Sequence, residues 1–138
     1  MKAPTPLTLS LSLFLLLIAA ACSKPPAAPS AGQATTGTVQ HVVVCWLKQP
    51  GDPTARAQLI GTSLGFKDLP GVVDVQAGTP LPSDRPVVDD SFDVALTMTF
   101  RDEAALRAYE NHPAHKKAVE DVLKPLVARF VVYDFVSP

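Results

Sequence analysis

The segment Leu106-Arg107-Ala108-Tyr109-Glu110-Asn111-His112-Pro113-Ala114-His115 sets a phenol and two imidazoles close together in the chain. An imidazole and a phenol held in an apolar setting can take a proton from activated carbon and hold the developing enolate, with no cofactor. Pro113 breaks the helix, so Tyr109 belongs to one helical segment and His115 to the next. His115, Val119, Val122 and Leu123 recur at helical spacing, which turns His115 toward the core. Lys116, Lys117, Glu120 and Asp121 take the opposite, solvated face. Tyr109 shares a stripe with Leu106, and its ring should also face inward. A third imidazole, His41, joins them if its strand face meets the helices.

A plainer role competes with this one. Buried tyrosine and histidine commonly hydrogen-bond backbone or each other, and here they could simply pin a kinked helix to a sheet. His112 beside Pro113 reads as an N-cap followed by the first helical residue. Metal binding has little support, because His112 and His115 have no carboxylate or third ligand nearby in sequence. Asp93 and Asp134 lie on strands, where a carboxylate usually bonds backbone or stays solvated, so neither is assigned to chemistry. The chain carries no phosphate loop and no nucleophile motif.

The elements that must position these groups follow from hydrophobic pattern. Val39 to Lys48 is apolar on both alternating faces, so it is a strand covered on both sides. Asp52-Pro53 starts a helix in which Ala57, Ile60, Leu64 and Lys67 keep helical spacing, and Leu69-Pro70-Gly71 stops it. Val72 to Gly78 is a second strand, with Val73, Val75 and Ala77 on one face. Thr79 to Ser91, with three prolines, is a long connection expected to be mobile or to lie over a rim. Phe92, Val94, Leu96, Met98 and Phe100 form one face of a third strand. Asp102 caps a short helix to about Glu110, a second segment runs from Pro113 to about Leu123, and Val127 to Val136 is the last strand.

The order β-α-β-β-α-β predicts an α+β, ferredoxin-like fold: a four-stranded antiparallel sheet with helices on one face. Trp46, Phe92 and Phe100 then call for cover on the other face. A second copy of the sheet provides it most simply, so the expected assembly is a homodimer closing into a dimeric α/β barrel.

The N-terminus reads as a targeting signal. Lys2 precedes an uncharged apolar run from Leu7 to Ala20, and Ala19-Ala20-Ala21 leads directly to Cys22. Residues 1–22 resemble a bacterial lipoprotein signal with Cys22 as the lipidation site, which implies secretion across the inner membrane. Ser23, rather than aspartate, then implies an outer-membrane anchor facing the periplasm. Ordinary cleavage after Ala21 is the alternative. Residues 23–38 are Pro, Ala, Ser, Thr and Gly with one Lys and one Gln, a tether with almost nothing to bury. Residues 39–138 then form one small domain. With twelve Lys and Arg against thirteen Asp and Glu, and no basic cluster beyond Lys116-Lys117, nucleic acid is not an expected partner. Cys45 has no partner once Cys22 is lipidated, and reads as a small core residue.

"HVVVCWLK" from His41, "LGFKDLPGV" ending at Val72, "FDVALTMTF", "RDEAALRAYENHPAH" and "VVYDF" together resemble the stress-responsive A/B barrel (Dabb) family. The resemblance implies a ferredoxin-like subunit, a barrel-forming dimer and no cofactor. A plant polyketide cyclase of the family uses a tyrosine and a histidine as an acid/base pair, with another histidine on the first strand. Matched by position, these fall on Tyr109, His115 and His41 as candidate catalytic pair and substrate-binding residue. Many members place a further histidine in the third strand, where this chain has Val94. The expected function is binding of a small apolar or aromatic molecule between sheet and helices. The alternative is a cofactor-free lyase or cyclase, with His115 as base and Tyr109 as proton donor.

Overall fold

Strand β1 (Thr38–Leu47) alternates between the two sides of a sheet, with Val39, His41, Val43, Cys45 and Leu47 buried and the residues between them only partly so. In this computed structural model residues 37–138 are described; the signal segment, Cys22 and nearly all of the tether lie outside them. The strand begins one residue earlier than its pattern indicates, because Thr38 pairs with Ser137.

Helix α1 (Pro53–Leu64) starts where expected. Asp52 accepts from the Thr54 and Ala55 amides, and Pro53 occupies the first turn, where its missing N–H costs nothing. Its buried stripe, however, is Ala55, Leu59 and Ser63, while Ala57 is exposed and Leu64 is 44% exposed. The helix is rotated from the orientation its larger apolar residues suggest. Two small residues and one leucine let it approach the sheet closely, and Arg56 holds it there through Asp93.

A tight turn at Gly65–Asp68 leads to Gly71, whose φ of 86° suits glycine. A Cβ at Gly71 would also lie 2.5 Å from the Ala105 Cβ, so this position admits little else. The Gly71 carbonyl accepts from Arg101 N at 3.1 Å, which ties the entry of β2 to the start of the next helix.

Strand β2 (Val72–Gly78) pairs with β3 (Val94–Phe100) through a bulge between Val72 and Asp74. The extra residue is Val73, which leaves the expected apolar face and is 57% exposed. On β3, Val94, Met98 and Phe100 have no exposed surface and Leu96 is buried, all on the helix side. The ring of Phe100 therefore needs no second sheet to cover it. Phe92 precedes the strand.

Asp102 caps α2 (Glu103–Asn111) by accepting from Ala105 N at 2.7 Å. His112 caps α3 (Pro113–Ala118) through Nδ1, which accepts from Ala114 N at 3.2 Å. The chain continues through a π-type turn at Val119–Leu123 and a short turn at Lys124–Leu126 into β4 (Val127–Ser137). The sheet order is β2-β3-β1-β4, antiparallel throughout, with helices on one face: the ferredoxin-like arrangement.

The core lies between the helices and the sheet, chiefly the two central strands β1 and β3, with Val75 from β2 and Val127 from the start of β4. Strand β4 is an edge, and Phe130, Val132, Tyr133, Phe135 and Val136 on it are exposed. On the far face, Trp46 is half-buried: Arg129 Cζ stacks 3.6 Å above its ring, and its Nε1 donates to Ser91 Oγ. The end of the long β2–β3 connection thus meets this rim of the sheet through Ser91.

Candidate functional site

Each of the three singled-out side chains reaches the same space from a different element. His41 points from β1 toward the helices, Tyr109 descends from the last turn of α2, and His115 descends from the first turns of α3. The break at His112-Pro113 brings the last two together, because it ends one helix and starts another within the reach of a ring. Tyr109 and His115 stack with ring centroids 4.3 Å apart, and His41 and Tyr109 meet edge-on at 6.1 Å. Phe66 and Phe100 pack against Tyr109 at 5.4 and 5.1 Å, forming an aromatic floor.

Hydrogen bonding assigns the tautomers. His115 Nδ1 lies 3.2 Å from the Glu110 carbonyl oxygen, which only accepts, so Nδ1 carries the proton and Nε2 is left with its lone pair. Burial pulls the His115 pKa below its ordinary value, and the bond to the Glu110 carbonyl opposes that only in part. At neutral pH this ring is an uncharged base. Burial, and secondarily the Glu110 charge, hold the Tyr109 phenol well above its usual range, so it remains a proton donor. The Tyr109 hydroxyl makes no hydrogen bond among the described residues, yet it is not a sealed, unpartnered group.

Asp134, expected from the sequence to bond backbone or stay solvated, instead pairs with His41 and joins the site. Its Oδ1 stands 2.7 Å from His41 Nδ1, and the pair sits side by side in the β1–β4 register. The signal was available only in the pairing: once β1 and β4 are neighbours, His41 and Asp134 face the same side. Asp93 is different. It is buried at the other end of β1, where it accepts from Leu47 N, Gly51 N and Arg56. Burial alone would raise its pKa; those donors outweigh it and hold the carboxyl below the usual range. It is a structural hub, as a strand carboxylate bonded to backbone should be.

A cavity of about 450 Å³ opens beside these groups. Tyr109, His115, His41 and Asp134 line its polar end. Val119, Val122 and Leu123 from the π-type turn, with Phe130 and Val132 from β4, form much of its apolar wall. Thr62, Ser63 and Glu110 also line it, and no lysine or arginine among the described residues borders it. A π-type turn is wider than an α-turn, and such turns are frequent at functional sites.

Residues 39–137 match the model of the stress-responsive A/B barrel domain, Dabb. The chain belongs to this family. Among solved structures, the A/B barrel chain is similar to a Dabb family protein with a ferredoxin-like fold from Mesorhizobium loti. They share 26% identity over 74% of this chain and 98% of that one, with a TM-score of 0.61. It is also similar to a dimeric ferredoxin-like protein of unknown function from Thermobifida fusca, at 20% identity, 75% and 93% coverage and a TM-score of 0.60. The hydroxynitrile lyase of Passiflora edulis matches at 18% identity, 75% and 95% coverage and a TM-score of 0.64, a likeness of fold. No curated protein matches the chain.

Within the A/B barrel domain, the expected trio of Tyr109, His115 and His41 does converge. His112 is occupied with its cap and does not join them. Val94, where other members were expected to carry a histidine, is packed in the core with no exposed surface. Cys45 is likewise a core residue, its thiol pushed up to about 11 by burial. Cys22 lies outside the described residues.

Proposed function

We propose that this A/B barrel protein is a lipid-anchored homodimer that binds a small apolar or aromatic molecule in the cavity between sheet and helices. The cavity carries the reading. Its volume of about 450 Å³ is in the range of small-molecule sites, its walls are largely hydrocarbon, and Tyr109, His115 and the His41–Asp134 pair gather together on its wall. Dimerisation is supported by the apolar far face, where Tyr133 and Phe135 are more than half exposed, and by relatives described as dimeric. The anchor rests on the sequence around Ala19 and Cys22, and Ser23 favours the outer membrane facing the periplasm.

Native mass spectrometry of the full-length chain, followed by extraction and identification of the bound molecule, tests the binding. Val122→Trp should fill the cavity and abolish retention while the melting temperature holds. Equal retention by both proteins would remove the cavity as the site. Palmitate labelling lost in Cys22→Ser would support the anchor, and an unlabelled wild-type chain would remove it.

The convergence of Tyr109, His115 and the His41–Asp134 pair supports a second reading, a cofactor-free lyase or cyclase. His115 Nε2 would take a proton from carbon next to a carbonyl, and the Tyr109 hydroxyl would donate to the enolate oxygen. The Asp134-oriented ring of His41 would position the substrate. In the cyclase case the enolate carbon would attack a second carbonyl of the same molecule, forming the C–C bond as that C=O π bond opens to an alkoxide, and His115 would deliver its proton to that alkoxide. A substrate screen comparing wild type with His115→Ala decides it. Equal turnover would reject the assigned base.

A further inference from the structure

Both imidazoles at the cavity present the same kind of atom to it. His115 Nδ1 faces the Glu110 carbonyl and His41 Nδ1 faces the Asp134 carboxylate, and both partners can only accept. In each neutral ring the proton is therefore on Nδ1, and Nε2 remains a bare acceptor. Beside the Tyr109 hydroxyl the cavity offers two such acceptors; Thr62 and Ser63 also line it, and the Ser63 hydroxyl is spent on the Leu59 carbonyl. The cavity's fixed charge is negative, because Asp134 and Glu110 border it and, among the described residues, no lysine or arginine does. A ligand whose polar end only accepts can satisfy Tyr109 but leaves both Nε2 atoms unmatched. An anionic ligand meets Asp134 and Glu110, with no lysine or arginine among the lining residues to neutralise it.

We propose that the cavity selects an uncharged, hydroxyl-bearing apolar molecule, a phenol or hydrophobic alcohol whose O–H donates to an imidazole Nε2. This rests on the ligand-binding reading above and names its chemistry. The hydrocarbon body lies against Val119, Val122 and Phe130, and the hydroxyl lies between His115 and His41. The selectivity comes from the unmatched acceptor, since leaving a desolvated polar group without its partner lowers affinity by about tenfold.

The test is calorimetric titration of the full-length protein at neutral pH with 1-naphthol, 1-methoxynaphthalene and 1-naphthoate, which share one ring system. Naphthol should bind tightest, with the ether and the carboxylate each weaker by about tenfold or more. Tyr109→Phe should keep the preference for naphthol over the ether, because the imidazoles create it. Equal affinity for naphthol and ether would overturn the proposal and leave apolar binding standing. Tightest binding of naphthoate, or loss of the preference in Tyr109→Phe, would also overturn it. No binding of any of the three would overturn both this selectivity and the cavity reading.

Discussion

His41 and Asp134 are direct partners across the β1–β4 ladder, and the register that pairs their backbones also sets His41 Nδ1 2.7 Å from Asp134 Oδ1. The sheet itself imposes this contact, so no loop has to be ordered to keep it. A histidine oriented by a carboxylate presents its other nitrogen in one direction, which is what a binding or proton-handling site requires.

Asp134→Ala should therefore affect binding more than folding. The carboxylate is 44% exposed, so its loss should change stability by no more than about 1 kcal/mol in urea unfolding. Affinity for 1-naphthol should fall several-fold as the His41 ring loses its fixed orientation. Unchanged affinity alongside a stability loss of several kcal/mol would make the pair a structural tie.

Tyr109 separates packing from chemistry. Tyr109→Ala removes a buried ring that touches Phe66, Phe100 and His115, and should cost about 3–5 kcal/mol. Tyr109→Phe keeps the ring, and because the hydroxyl has no partner among the described residues, stability should change by less than about 1 kcal/mol. If Phe proves as destabilising as Ala, the hydroxyl has a structural partner and is unavailable to a ligand.

Much of this arrangement was legible in the sequence, because periodicity and caps are local. Asp52-Pro53, Asp102 and His112-Pro113 marked helix starts that the structure keeps. Inward orientation of Tyr109 followed from its stripe with Leu106, whereas the side His41 takes stayed open, because β1 is apolar on both faces. The failures were non-local. Val73 leaves its expected face because a bulge inserts it, and alternation cannot report a bulge. Helix α1 buries Ala55 rather than Ala57 because Asp93, thirty-seven positions away, holds Arg56. Asp134 joined the site through strand pairing, which no window of sequence contains.

Asp93 gives the fold an acid-sensitive tie. Its folded pKa lies below the unfolded value of about 3.9, so its stabilisation is complete above about pH 4 and is lost as pH falls through the lower folded value. Asp93→Asn should lose about 3–5 kcal/mol at neutral pH and flatten that part of the acid-unfolding curve. A variant curve parallel to the wild type below pH 4 would assign the acid transition to other groups.

The far face of the sheet gives a test of assembly. Val44→Asp together with Tyr133→Asp places two charges on that face and should turn a dimer into a monomer in sedimentation velocity. Both positions lie away from the cavity, so naphthol affinity should persist. A wild-type chain that sediments as a monomer, or a double variant that remains dimeric, would reject the sheet-to-sheet interface.

The wide turn at Val119–Leu123 carries one more residue than regular helix would, at the point where it walls the cavity. Because β4 is registered to β1 through its own ladder, the sheet does not depend on how that turn is wound. A single deletion there could tighten the chamber by a methyl or two and leave the scaffold intact. Gain or loss of one codon would then be enough to change what fits, which offers one scaffold a short route to several guests.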